Sequence, residues 1–206
     1  MDNEDHEIEK SKGPLGSLNP HLFTILAILS ELGLVFTAFF LAWIWPKEEI
    51  SPAEWNNRDA LFAVVCTLPL VLVLVLITWT PLRNLKPLRK IRSLLRKYLI
   101  DAISGLQVWQ ILAISMSAGL GEEVLFRGAL QPRLGILITS LLFGVVHWIT
   151  PTYFIFATLI GAYLGWMYEY SNKNLLVPII IHALYDTIGF FVVKWELSKK
   201  SKTKFD

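Results

Sequence analysis

The sequence predicts an all-α protein, a polytopic membrane bundle of about six transmembrane helices with an amphipathic helix lying on the membrane surface. Three observations lead there. Of the 206 residues 54% are hydrophobic, and the mean hydropathy is +0.51. Only 17% are charged, where a soluble domain carries about 25%, and these charges gather at the ends and in one internal loop. Between them run apolar stretches near the ~20 residues a helix needs to cross the hydrocarbon.

The net charge of +2 excludes little by itself. The single cysteine, Cys66, excludes an internal disulfide and a cysteine metal cluster. In its apolar run it reads as an inert buried thiol. Residues 1–20, acidic at their start and without the basic region and apolar core of a signal peptide, are expected to form a disordered polar tail on the cytosolic side. The transmembrane domain is expected over 21–196, with spans at 21–45, 59–79, 104–130, 134–149, 152–170 and 175–194, followed by a basic tail over 197–206. Pro46, Pro81 and Pro151 stop or separate spans. Trp43, Trp45, Trp79, Trp148, Trp166 and Trp195 fall near span ends, as an aromatic belt does.

Between the second and third spans, Leu88, Ile91, Leu95 and Leu99 recur at helical spacing among Arg83, Lys86, Arg89, Lys90, Arg92, Arg96 and Lys97. That pattern predicts the surface helix. With this basic loop on the cytoplasmic side, most Lys and Arg lie inside and six spans return both termini there.

The chemistry is carried by charges placed where charges are expensive. A charged side chain at the bilayer centre costs about 2.5–3.5 kcal/mol on the lenient insertion scale, yet Glu122, Glu123 and Arg127 sit within one apolar span. His147 ends the next, four residues after Phe143, and His182 and Asp186 lie i,i+4 on the last. If the third and fourth spans turn near Pro132-Arg133 and the fifth and sixth near Asn172-Lys173-Asn174, a rise of about 1.5 Å per residue puts these groups close to the midplane. They are therefore expected to face one interior cavity. Glu123 and Arg127 can pair on one helix face, and Glu122 points about 100° away. Glu31 stands alone in the first span, lining that cavity, pairing with a polar group on a neighbouring helix or packing through a hydrogen bond. Gly161-Ala-Tyr-Leu-Gly165 reads as a close helix contact.

A carboxylate and a histidine can hold and deprotonate a water. A second histidine with a hydrogen-bonding neighbour can stabilise an oxyanion. Such a set suits peptide hydrolysis without a serine or cysteine nucleophile. Glu122, His147, His182 and Asp186 can also bind a divalent metal, although no His-Glu-x-x-His occurs.

At these residues the chain resembles the CAAX-protease and bacteriocin-processing (CPBP, or Abi) family of intramembrane glutamic endopeptidases. The resemblance rests on Glu122-Glu123-x-x-x-Arg127, Phe143-x-x-x-His147 and His182-x-x-x-Asp186, in order, with Gly128 and Asn174-Leu-Leu-Val-Pro178 beside them, and covers about residues 104–190. It implies Glu122 as general base acting with His147 on the water, Glu123 and Arg127 as braces, Phe143 as support, and His182 with Asp186 at the oxyanion. Characterised prenyl endopeptidases of the family carry Asn at the last position; an ionised Asp186 accepts only, so it must be protonated, orient His182 or help bind a metal. No cofactor is implied. The expected partners are the lipid bilayer and a hydrophobic or lipidated peptide, such as a prenylated CAAX protein or a leader peptide, and no nucleic acid. A prokaryotic cell membrane is the expected location. The alternatives are a non-catalytic bacteriocin-immunity or scaffold protein, a metal-dependent protease and a small transporter; no repeat relates the two halves as many transporters require.

Overall fold

A computed structural model of the chain describes residues 19–46, 49–79, 85–86, 88–89, 103 and 105–202, with side chains up to 195. The terminal tails and nearly all of the expected surface helix over 81–101 lie outside the described residues.

Every regular element among the described residues is a helix. Helix α1 spans Pro20–Ile44, α2 Asn57–Trp79 and α3 Val108–Glu123. A π-helical stretch, Val124–Leu130, joins α3 to α4 at Gln131–Val146. Helix α5 spans Pro151–Tyr170 and α6 Leu176–Lys202. These match the six expected segments to within a few residues, except that α6 runs further and no gap separates the third from the fourth. Among the described residues, α1, α2, the 39-residue run Val108–Val146 and Leu176–Trp195 are long and apolar enough to cross a membrane. Helix α5 has the length, but its tyrosines, glycines and tryptophan lower its hydropathy.

Local chemistry starts the helices where the sequence changes character. Asn19 caps α1, its Oδ1 accepting from His21 N at 2.9 Å, and Pro20 takes the first turn, where its missing N–H costs nothing. Thr150 and Pro151 repeat the device at α5, with Thr150 Oγ1 accepting from Tyr153 N at 3.1 Å. Gln110 Nε2 donates to Pro20 O at 3.1 Å and Thr24 Oγ1 at 2.9 Å, tying the start of α3 to the start of α1.

Helices α3 and α6 form the centre, α1 packs on α3, α2 on α6, and α4 pairs with α5. The outer faces are apolar and open: Phe36 is 74% exposed and Leu137 71%. Contiguous apolar surface of this kind suits lipid rather than water as the solvent. Arg133 Nε donates to Trp45 O at 2.8 Å, and Asn174 Nδ2 donates to Glu54 O at 2.9 Å and Asp59 Oδ2 at 2.8 Å. The α1–α2 loop therefore meets both the α3–α4 and α5–α6 connections on one face, as an up-and-down bundle requires.

One expectation needs correction. The third and fourth segments do not turn at Pro132-Arg133; both residues stay helical, and the chain reverses at Gly135, whose φ of 77° and ψ of 165° are open essentially to glycine alone. Phe126 then faces Phe143 with ring centroids 5.0 Å apart, and Glu122 faces His147. Both pairs are centred on the Leu134–Gly135 step. Nothing lies within 4 Å of a Cβ built on Gly135, so Gly135→Ala tests backbone conformation alone. It is expected to cost about 1–3 kcal/mol in thermal unfolding and to lower any activity that depends on the Glu122–His147 register; an unchanged melting curve would count against this turn.

Candidate active site

The site is built from the end of α3, the π stretch, the end of α4 and the middle of α6. Its inner layer is buried. Glu123 is fully buried and Arg127 is 1% exposed. Arg127 Nη1 donates to Glu123 Oε1 at 3.2 Å, its Nε lies 3.1 Å from Oε2, and its Nη2 donates to Gly161 O on α5 at 2.8 Å. The i,i+4 spacing explains the ion pair. The bond to α5 requires close approach, and Gly161 permits it: a Cβ there would stand 3.2 Å from the Phe143 side chain. The expected small-residue contact is thus seen, with α5 pressed against Phe143.

Phe143 packs at the centre. Its ring stacks on His147 at 4.4 Å between centroids, meets His182 edge-on at 6.1 Å, and lies 4.9 Å from the Arg127 guanidinium carbon. A ring so placed fixes both imidazoles and offers its face to the cation.

The outer layer is more open. Side-chain exposure is 14% for Glu122 and 28% for each of His147 and Asp186. His147 Nδ1 lies 2.8 Å from Phe143 O. A carbonyl only accepts, so Nδ1 carries the proton and Nε2 is the atom facing Glu122. The distance from Nε2 to Glu122 Oε2 is 3.5 Å. That is long for a direct hydrogen bond and suits two groups that share one water. Glu122 and Glu123 thus part as the 100° rotation predicts, one to the open edge and the other to the brace.

His182 is bonded on one side and faces a carboxylate on the other. Its Nδ1 is 2.7 Å from Glu123 Oε1 and its Nε2 is 3.5 Å from Asp186 Oδ2. Asp186 thus stands on the Nε2 side of His182, one helical turn along α6. The bond to Glu123 was not legible from spacing: Glu123 serves Arg127 on its own helix and His182 across the bundle. Among the described residues, no group of three or more His, Cys, Asp or Glu is disposed to hold a metal.

Sequence reasoning missed two phenols. Tyr153 lies within electrostatic reach of Asp186 and Glu122, and Tyr185 within reach of Asp186 and Tyr153. Tyr185 follows His182 by three residues, a spacing that could have flagged it; Tyr153 has no motif around it.

Residues 104–188 match the family model described as Type II CAAX prenyl endopeptidase Rce1-like. The chain is also similar to YpbD, an uncharacterized protein of Bacillus subtilis (strain 168), with 33% identity over 98 residues, 45% of this chain and 50% of that protein. It therefore spans about half the length of the curated relative it matches. No solved structure matches. Glu122, Glu123, Arg127, Phe143, His147, His182 and Asp186 all fall inside the stretch that is similar to the Rce1-like CAAX prenyl endopeptidase family.

Proposed function

We propose that the chain is an intramembrane endopeptidase that hydrolyses a peptide bond of a membrane-associated substrate, a prenylated CAAX-type protein or a hydrophobic leader peptide, through a water activated by Glu122 and His147. One observation carries the reading: Glu122 Oε2 and His147 Nε2 face each other at 3.5 Å on the partly open edge of a polar cluster whose inner members are buried. Glu122 takes the proton of the water as it attacks the carbonyl carbon, and later returns it to the leaving nitrogen. His147, its tautomer set by Phe143 O, orients that water. Glu123, Arg127 and His182 hold the two helices in register. The reaction so written calls for no metal ion. Both termini lie on the cytoplasmic side with the basic loop.

The test is proteomic. Wild type and Glu122→Gln are expressed in matched cells, and the termini of membrane-associated peptides are compared. Termini found only with wild type are expected, and their sequences define the substrate class. Identical profiles, with both proteins folded and lipidated candidates present, would favour an immunity or scaffold role.

A further inference from the structure

A tetrahedral intermediate needs hydrogen-bond donors at the oxygen that becomes negative. His182 meets part of that need. Glu123 accepts from its Nδ1 at 2.7 Å, and its Nε2 stands 3.5 Å from Asp186 Oδ2, too far for a good hydrogen bond, so Nε2 is uncommitted. In the charged ring that nitrogen donates, the role the family resemblance gives it. Beside it, an ionised Asp186 only accepts. A second donor has to come from another side chain.

The first turn of α5 brings one. Contacts at two places fix how α5 runs against α4. Arg127 Nη2 donates to Gly161 O at 2.8 Å, and a Cβ on Gly161 would stand 3.2 Å from the Phe143 side chain, so Gly161, Phe143 and Arg127 share one level. Nearer the start of α5, Phe154 O would stand 3.0 Å from a Cβ on Gly144, and the Phe154 ring meets Trp148 with centroids 5.0 Å apart. Ala157 lies between, buried in one cluster with Phe143 and Val124. Tyr153, Ala157 and Gly161 are spaced i, i+4, i+8, along one stripe of the helix. The stripe faces the site at Gly161 and Ala157, and Tyr153 continues it.

Four residues of helix rise about 6 Å. Counted away from the α5–α6 turn, Ala157 is one such step from Gly161, His147 from Phe143 and Glu123 from Arg127, and His182 joins that level through its bond to Glu123. Tyr153 is one step beyond Ala157, and Asp186 one step beyond His182. The phenol and the Asp186 carboxylate therefore share a level, next to the open edge where Glu122 and His147 face each other. Tyr153 is within electrostatic reach of both Asp186 and Glu122, whereas Tyr185 packs on the apolar cluster of Ala63, Leu164 and Ile181. The Tyr153 side chain is half-buried and makes no hydrogen bond among the described residues; only its backbone N–H is held, by Thr150 Oγ1 at 3.1 Å.

We propose that Tyr153 is a further catalytic residue, its phenol O–H donating the second hydrogen bond to the oxyanion beside His182 Nε2. The inference rests on the peptidase reading above. Water loses a proton to Glu122 while its oxygen bonds to the carbonyl carbon, and the carbonyl π pair moves to oxygen. There the Tyr153 O–H meets it and keeps its proton. As the C–N bond breaks, the C=O bond re-forms and the proton on Glu122 passes to nitrogen.

The experiment uses the full chain in lipid nanodiscs and a peptide recovered from the terminal-peptide comparison, with each variant checked by thermal melting. Tyr153→Phe removes the hydroxyl alone. It is expected to melt as wild type does and to lose about 10²–10³ in kcat with KM little changed, the usual cost of one oxyanion donor. Adding Asp186→Asn brings an amide N–H to the same level, and the double variant is expected to regain about tenfold or more over Tyr153→Phe. A loss carried by KM alone, or a double variant no faster than the single one, would overturn the donor role. A Tyr153→Phe protein that fails to fold would overturn it too, by making the hydroxyl structural. Wild-type kcat in Tyr153→Phe beside an inactive Glu122→Gln would overturn this inference and leave the peptidase reading standing. A folded wild type that cleaves nothing would overturn both.

Discussion

Glu122→Gln is expected to reduce turnover by about 10²–10⁴-fold, the usual contribution of a general base, while the protein folds and melts as wild type does. The substitution keeps the size of the side chain. The pairing partner of Glu122 is the partly open His147 at 3.5 Å, and the buried ion pair lies next door on Glu123. Removing the charge therefore leaves the packing of α3, α4 and α6 untouched. The measurement is steady-state cleavage of a peptide recovered from the terminal-peptide comparison, together with a melting curve of both proteins in the same lipid. Cleavage at the wild-type rate by a folded Glu122→Gln protein would remove Glu122 from the reaction.

Arg127→Ala is expected to act in the opposite way, through stability. Arg127 is 1% exposed and Glu123 fully buried. Deleting the guanidinium leaves the buried Glu123 carboxylate with His182 alone, opens the bond to Gly161 O and empties the space beside the Phe143 ring. Breaking a buried pair from one side costs about 3–5 kcal/mol. Thermal or denaturant unfolding in detergent should show that loss, with activity falling in proportion to the folded fraction. A variant that melts like wild type and yet fails to cleave would place Arg127 in the chemistry instead of the scaffold.

The contrast between neighbouring residues shows what a chain of letters can carry. Glu122 and Glu123 are chemically identical and adjacent. Helical rotation alone separates them, and the prediction that one pairs with Arg127 while the other faces the cavity needed only the 3.6-residue period. That the ionisable groups of separate helices come together was legible for a similar reason. Rise per residue is constant, and charge inside a bilayer is too costly to be incidental. The exact facing was not legible. Counting from Pro132-Arg133 sets His147 deeper than Glu122, whereas the reversal at Gly135 sets them level, because only that residue has a φ of 77° and ψ of 165°. A proline marks a local interruption in a sequence; where a helix folds back depends also on the π stretch and on Arg133, whose Nε donates to Trp45 O at 2.8 Å and whose Nη1 donates to Ala129 O at 2.6 Å. Glu31 was ambiguous alone, since one carboxylate in a span has no spacing to interpret.

Composition, period and the cost of buried charge were therefore enough to settle the all-helical membrane class, the approximate extent of six segments and the identity of the polar residues that meet. These are one-dimensional properties, governed by the transfer of each side chain from water and by the geometry of a single helix. Which nitrogen faces which oxygen, the double engagement of Glu123 by Arg127 and His182 and the unpartnered Glu31 oxygen against Gly121 were decided by the tertiary structure. They depend on packing between helices far apart in the chain, where a shift of a single turn exchanges every partner.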